Sequence, residues 1–121
     1  MAQKKILIVD DEAILAMDLQ SQLQQLGYEV AGTAASGKAA IQKAKDTQPD
    51  LVIMDISLRG DMDGVEAAKQ ILACFQIPVI FISGYSDKET LERVREISPF
   101  CLVKPIDERD LHPLIEKALG K

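Results

Sequence analysis

The sequence predicts an α/β domain over residues 1–121, a doubly wound parallel sheet of five strands with five helices on its two faces. The first observation behind this class is that short apolar runs alternate along the chain with amphipathic, helix-like segments. The second is the run over residues 51–54, which is apolar throughout and bounded by turn signals, as expected of a strand buried on both faces. Strands that alternate with helices in this way pair in parallel through right-handed crossovers.

Composition restricts the class of protein further. With 121 residues, 47% apolar and 27% charged, the chain can bury one core and is not expected to be disordered. The net charge of −5 argues against direct binding of nucleic acid, and no apolar run suggests a membrane span or a signal peptide. Cys74 and Cys101 lack ligand spacing and are predicted to be reduced core residues. We therefore expect a soluble, cytoplasmic protein.

The first half of the chain supplies two strands and two helices. Residues 6–9 form the first strand. The helix after it is ended by Gly27 and carries leucines at spacings of four and three, namely Leu15, Leu19, Leu23 and Leu26. Residues 28–34 are less hydrophobic, which predicts a strand at the edge of the sheet. Ser36 is a suitable N-cap for the second helix, which Pro49 closes.

The second half continues the alternation. The strand over residues 51–54 is followed by a helix capped by Asp63, and the strand over residues 79–82 by a helix capped by Asp87. Residues 100–103 form the fifth strand. Asp107 opens the last helix, although Pro113 is tolerable only near a first turn and moves the expected start toward Asp110. The inward side chains are predicted to be Val65, Ala68, Ile71, Leu72 and Phe75, then Leu91, Val94 and Ile97, then Leu111, Leu114, Ile115, Ala118 and Leu119.

Polar groups follow four of the five predicted strands. If the strands are parallel, their carboxyl ends bring together Asp10, Asp11, Asp55, Ser83 and Lys104, at the sheet edge where ligands collect in this class. Crowded carboxylates repel one another unless a cation neutralises them, and ligation by oxygen alone suits Mg²⁺. A hydroxyl and an ammonium group are suited to binding phosphoryl oxygens, and an aspartate can accept a phosphoryl group as a nucleophile.

Each of these groups also has an ordinary structural interpretation. Asp10 and Asp11 could form a turn and a helix cap, Ser83 could belong to a common loop pair, and Lys104 could be a solvated surface residue. Their conjunction favours a site, because chance seldom places mutually compatible groups at four strand ends.

The same residues carry a resemblance to a known family. The chain resembles the response-regulator receiver domain of two-component signalling over nearly its whole length. The resemblance rests on five short motifs in order, Val9-Asp10-Asp11-Glu12, Met54-Asp55, Met62-Asp63-Gly64, Ser83 and Lys104-Pro105. It implies a flavodoxin-like sheet with strand order 2-1-3-4-5.

The resemblance also implies a role for each residue. Asp55 would be the phosphoacceptor, and Mg²⁺ would be bound by Asp11, Asp55 and the carbonyl of Ser57, with Asp10 acting mostly through water. Ser83 and Lys104 would contact the phosphoryl group, and the peptide between Lys104 and Pro105 would be cis.

Partners follow from the resemblance as well. The phosphoryl donor would be a sensor histidine kinase, a histidine phosphotransfer protein or a small acyl phosphate, and the domain would at most catalyse its own phosphorylation and dephosphorylation. Phosphorylation would shift populations and change the surface of helix 4, strand 5 and helix 5, a face through which family members commonly form homodimers. No direct nucleic-acid or membrane contact is expected. The sequence is compatible both with a complete single-domain regulator and with the receiver part of a longer regulator or hybrid kinase.

Two features depart from the family pattern. The family usually has an aromatic residue three positions before the Lys-Pro pair, where this chain has Cys101, and Phe100 stands one residue too early. Either Phe100 takes this role in a locally altered strand, or aromatic coupling is absent. We favour the second, because a shift of one residue moves a side chain to the other face of a strand. The loop after Asp55 also lacks the frequent proline and is one residue longer before Asp63.

Two other functions are alternatives to a phosphoaccepting receiver. A phosphohydrolase of the haloacid-dehalogenase type would require an Asp-x-Asp pair after the first strand and further length for a cap domain, whereas this chain has adjacent Asp10 and Asp11. A pseudo-receiver that binds proteins without phosphorylation usually lacks one of the key groups, and none is missing here.

Overall fold

The computed structural model describes residues 3–58, 60, 62–84, 88–104 and 106–120. Its five strands are β1 (Lys5–Val9), β2 (Glu29–Ala34), β3 (Leu51–Asp55), β4 (Val79–Ser83) and β5 (Cys101–Val103). Its five helices are α1 (Ala13–Gln25), α2 (Gly37–Thr47), α3 (Gly64–Phe75), α4 (Lys88–Ile97) and α5 (Glu108–Ala118). Strands and helices alternate, as the sequence predicts.

All strand pairs in the sheet are parallel, and the strand order is β2-β1-β3-β4-β5. This is the order implied by the family resemblance, and the less hydrophobic β2 lies at an edge as predicted. Every residue of β3 and of β4 is buried, because helices cover both faces of these central strands.

The core consists of two layers, one on each face of the sheet. On one face, α1 and α5 bury Leu19, Leu23, Leu111 and Ile115 against the strands. On the other face, α2, α3 and α4 contribute a second layer, to which α4 adds Val94. The fold is therefore doubly wound, and its crossovers leave the carboxyl ends of β1, β3, β4 and β5 along one edge.

The predicted N-cap residues are confirmed where the structure describes them. Ser36, Asp63 and Asp107 each accept a hydrogen bond from a backbone N–H of the first turn of α2, α3 and α5. Gly27 and Gly120 follow α1 and α5 with positive φ angles, which glycine adopts without strain. The predicted cap Asp87 lies outside the described residues.

Three predictions about elements are wrong. Helix α5 begins at Glu108 and includes Pro113 in its interior, because the Asp107 cap fixes its start and Leu111 and Ile115 bury its apolar face. Leu72 retains 37% of its surface exposed, since it borders a groove between α3 and α4. Cys74 is exposed near the end of α3, whereas Cys101 is partly buried against the core; both thiols are free.

Within the described ranges, no helix combines the length and the apolar character that crossing a membrane requires.

Candidate functional site

Three carboxylates converge at the carboxyl edge of the sheet. Asp10 directly follows β1, Asp55 is the last residue of β3, and the pairing of β1 with β3 brings these strand ends together. Asp10, Asp11 and Asp55 each offer a carboxylate oxygen, and these three oxygens all lie within 4.8 Å of one another. Asp10 and Asp55 are only 4% and 1% exposed, and Asp11 is half-buried. Such a group of oxygens is suited to a hard divalent cation.

One ammonium group faces the two buried carboxylates. Lys104, which follows β5, places Nζ 3.2 Å from Oδ2 of Asp55 and 3.8 Å from Oδ2 of Asp10. Burial by itself would lower the pKa of Lys104, but the hydrogen bond to Asp55 and the charges of Asp55, Asp10 and Glu12 outweigh it and raise that pKa. Lys104 therefore remains charged and partly neutralises the cluster.

Short-range backbone hydrogen bonds orient both buried carboxylates. The N–H of Ser57 donates to Oδ1 of Asp55 at 2.9 Å, and the N–H of Glu12 donates to Oδ1 of Asp10 at 2.9 Å. Each bond spans two residues, so the chain that leaves a strand turns back and fixes the side chain at the strand end. The Oδ2 atoms of Asp10 and Asp55 are both directed toward Lys104.

The electrostatics of Asp10 differ from those of a surface aspartate. Burial raises the pKa of Asp10 from 3.8 to about 6, helped by the neighbouring charge of Asp55 and opposed by the Glu12 N–H and by Lys104. Its Oδ2 is buried and, among the described residues, accepts no hydrogen bond. A buried carboxylate oxygen without a donor beside two other carboxylates fits the addition of a cation such as Mg²⁺.

Gly64 determines how closely α3 approaches Asp55. A Cβ atom at Gly64 would overlap the carbonyl oxygen of Asp55 and lie 2.9 Å from the carbonyl carbon. The N–H of Gly64 donates to the carbonyl of Ile56 at 3.3 Å. The first residue of α3 is therefore seated on the main chain that carries the Asp55 side chain. From the sequence this glycine is predicted only as part of the Met62-Asp63-Gly64 motif, although glycine at the first position of a helix is itself a signal of close packing.

Ser83 and Lys104 lie at neighbouring strand ends. Ser83, the last residue of β4, is 3% exposed, and its carbonyl accepts a hydrogen bond from the Lys104 N–H at 2.8 Å. Ile82, the residue before Ser83 in β4, pairs with Asp55 of β3. The structure thus brings Ser83 to the same sheet edge as Asp55. Ser57 is also at this edge, exposed to solvent.

Phe100 and Cys101 lie on opposite faces of the sheet. Phe100 packs with the layer formed by α1 and α5, whereas Cys101 packs with the layer formed by α2, α3 and α4. By the alternation along β4, in which Phe81 belongs to the α2, α3 and α4 layer, Ser83 points to the face occupied by Cys101. In this arrangement no aromatic ring from residue 100 or 101 lies on the Ser83 side. The predicted cis peptide involves Pro105, which lies outside the described residues.

A second charged contact near the site is not predictable from the sequence pattern. Arg93 of α4 pairs with Asp63, the cap of α3, at 3.5 Å. Nothing in the spacing of these two residues predicts their meeting, because it depends on how α3 and α4 pack on the sheet.

Comparison with known proteins gives concordant matches. The chain matches the family model of the response regulator receiver domain over residues 6–116. It is 37% identical over 119 residues to the transcriptional regulatory protein PdtaR of Mycobacterium tuberculosis, which covers 98% of this chain and 58% of that protein. It is 45% identical over 104 residues to the chemotaxis protein CheY of Thermotoga maritima, which covers 84% of this chain and 86% of that protein.

A solved structure agrees closely in fold. The signal receiver domain of a modulated diguanylate cyclase from Desulfovibrio desulfuricans superposes with a TM-score of 0.93 at 38% identity, covering 98% of this chain and 94% of that one. The chain spans just over half the length of PdtaR, so the activity of that whole protein is not carried over.

Proposed function

This chain belongs to the response regulator receiver family, and from that membership we propose that it accepts a phosphoryl group on Asp55 in a Mg²⁺-dependent reaction. The observation that supports this most is the environment of Asp55. Its buried carboxylate lies between the Ser57 N–H and the Lys104 ammonium, and the carboxylates of Asp10 and Asp11 lie beside it. These are the groups that a phosphoryl acceptor requires at one strand end.

The proposed donor is a phosphohistidine of a sensor histidine kinase or phosphotransfer protein in the cytoplasm. A carboxylate oxygen of Asp55 attacks the phosphorus, the phosphorus–nitrogen bond breaks, and the imidazole leaves with its electron pair and is protonated by solvent. The product is a mixed anhydride on Asp55. Lys104, which pairs with Asp55 in this structure, would then pair with a phosphoryl oxygen.

Mg²⁺ would be held by Asp11, Asp55 and the Ser57 carbonyl, with Asp10 acting through water, and when bound it would neutralise charge on the phosphoryl oxygens. The carboxylate group of three fits this ion, and Lys104 supplies the second positive charge. Ser83 would donate its hydroxyl to the phosphoryl group. The new charge would shift the population of α4 arrangements and thereby change the α4, β5 and α5 surface for a protein partner or a second copy of the chain.

The proposed function is tested by incubating the protein with acetyl phosphate and Mg²⁺ and measuring the intact mass. We expect one added phosphoryl group, which Asp55→Asn and chelation of Mg²⁺ each abolish. The matched control Asp46→Asn, an exposed carboxylate on α2, should retain the adduct. No adduct from acetyl phosphate or from a phosphorylated histidine kinase, with the fold intact, would contradict the proposal and favour a pseudo-receiver.

A further inference from the structure

Helix α4 is attached to the rest of the domain by few buried groups. Val94 is its only buried residue, whereas α3 buries Gly64, Val65, Ala67, Ala68 and Ile71. A groove of about 380 Å³ runs between α3 and α4. Because little apolar surface holds α4, a single polar contact can influence where it lies.

One such contact joins α4 to the start of α3. Both terminal nitrogens of the Arg93 guanidinium lie 3.5 Å from Oδ2 of Asp63. The other oxygen of Asp63, Oδ1, accepts a hydrogen bond from the Glu66 N–H at 2.8 Å and so caps α3. One oxygen of the Asp63 carboxylate thus caps α3, and the other pairs with Arg93 of α4.

The residue after Asp63 contacts the phosphoacceptor directly. Gly64 is seated on the Asp55 carbonyl so closely that a Cβ atom would overlap it, and its N–H donates to Ile56. Arg93, Asp63, Gly64 and Asp55 therefore form a continuous series of contacts from α4 to the proposed site. This series does not pass through Ser83 or through an aromatic residue of β5.

We propose that the Asp63–Arg93 ion pair holds α4 in the arrangement seen here and couples its position to Asp55 through the start of α3. The inference rests on the proposed function for its regulatory meaning, since phosphorylation of Asp55 would act on α4 through the same contacts. Phe100 packs on the face of the sheet opposite to Ser83, and the Asp63–Arg93 ion pair provides a polar route between the site and α4. By linkage, the position of α4 in turn affects the segment that carries Asp55.

The test compares hydrogen exchange in the unphosphorylated protein and two variants of α4. Arg93→Gln removes the ion pair, and Arg95→Gln removes an equal charge from the same helix without touching Asp63. We expect Arg93→Gln to speed exchange of the α4 amides and of the Gly64 amide about two- to five-fold, the range for an exposed ion pair. Arg95→Gln, which removes a basic residue from the last turn of α4, should affect exchange only within that turn and leave the Gly64 amide unchanged. Equal behaviour of the two variants would overturn the proposal.

A double-mutant cycle identifies the partner of Arg93. Asp63→Asn keeps a capping oxygen for α3 but removes the charge, so it should reproduce the effect of Arg93→Gln and add nothing to it. The difference from the wild type should also shrink in about 1 M salt, because the pair is exposed. Additive effects of the two substitutions would show that they act independently and would overturn the proposal.

Treating the same proteins with acetyl phosphate and Mg²⁺ distinguishes a failure of this inference from a failure of the proposed function. Intact mass, measured on the same samples, reports whether Asp55 accepts a phosphoryl group, whereas exchange in the unphosphorylated protein reports the ion pair. If the wild type forms no adduct but Arg93→Gln still loosens α4 and Gly64, the proposed function fails and the coupling stands.

Discussion

At the scale of single residues, the site contains more buried negative charge than its lysine can balance. Asp10 and Asp55 are both almost completely buried, and Lys104 is the ammonium group that pairs with them. This imbalance contributes to the high pKa of Asp10, after burial itself. It also explains why a divalent cation would find three carboxylate oxygens already assembled.

Ionisation of Asp10 is therefore expected to lower the free energy of unfolding. Its folded pKa of about 6 lies above the value of 3.8 for an unperturbed aspartate, so the folded state binds the proton more tightly. The stability that this proton contributes is fully present below about pH 4 and is lost as the pH rises through about 6. Since one pKa unit corresponds to about 1.4 kcal/mol, the loss at neutral pH is about 3 kcal/mol.

Asp10→Asn should consequently stabilise the fold without Mg²⁺. We predict a gain of about 2–3 kcal/mol in the free energy of unfolding at about pH 7.5, which disappears at about pH 3 because Asp10 is then largely neutral in both the folded and the unfolded state. Urea unfolding in buffer that contains a chelator of Mg²⁺ measures this gain. Asp46→Asn, on the exposed side of α2, should change stability by less than about 0.5 kcal/mol at either pH. A gain that does not depend on pH would contradict the electrostatic explanation.

The location of these residues could be predicted from the sequence, but their electrostatics could not. Asp10, Asp55 and Lys104 follow apolar runs, and parallel strands bring such positions to one edge. The pKa of Asp10 depends on burial and on distances across three strands, which no local pattern encodes. The same holds for Arg93 and Asp63, which lie 30 residues apart.

At the scale of elements, the start of α3 is constrained by its contact with β3. Gly64 leaves no room for a side chain, because the Asp55 carbonyl occupies the place of a Cβ atom. Helix α3 must therefore begin with glycine despite the low helix propensity of that residue. The Asp63 side chain offsets part of this cost by capping the first turn.

Gly64→Ala is predicted to be strongly destabilising. The added methyl must push α3 away from Asp55 or bend β3, and we expect a loss of about 3 kcal/mol or more in the free energy of unfolding. The matched control is Gly84→Ala, where a Cβ atom would meet, among the described residues, the Lys104 side chain at 3.8 Å, and it should cost less than about 1 kcal/mol. Urea unfolding of both variants measures these losses. Similar losses in the free energy of unfolding would contradict a rigid contact between the start of α3 and the Asp55 carbonyl.

The errors of the sequence analysis at this scale share a cause. Leu72 fits an apolar helix face, but it lines a groove between α3 and α4 instead of lying under a covering element, and Cys74 is exposed near the end of α3. Pro113 disfavours the interior of a helix, yet the cap at Asp107 and the burial of Leu111 and Ile115 set the limits of α5. In both cases tertiary packing decides what local propensity leaves open.

At the scale of the whole molecule, the crossovers of the sheet assemble the site. Alternating strands and helices predicted a parallel doubly wound sheet, and the structure confirms it. The strand order came from the family resemblance, because alternation alone does not say which strands are neighbours. That order places β1 and β4 on either side of β3, so the groups that follow them face Asp55.

The most direct test of the central proposal is to locate the phosphoryl group after reaction with acetyl phosphate and Mg²⁺. Borohydride reduces an aspartyl phosphate to homoserine, which peptide mass spectrometry can assign to one position. We predict homoserine at residue 55 alone, and none when Mg²⁺ is chelated. Homoserine at Asp10 or Asp11 instead, or at no position in a folded protein that a phosphorylated kinase also fails to label, would contradict the assignment of Asp55 as the phosphoacceptor.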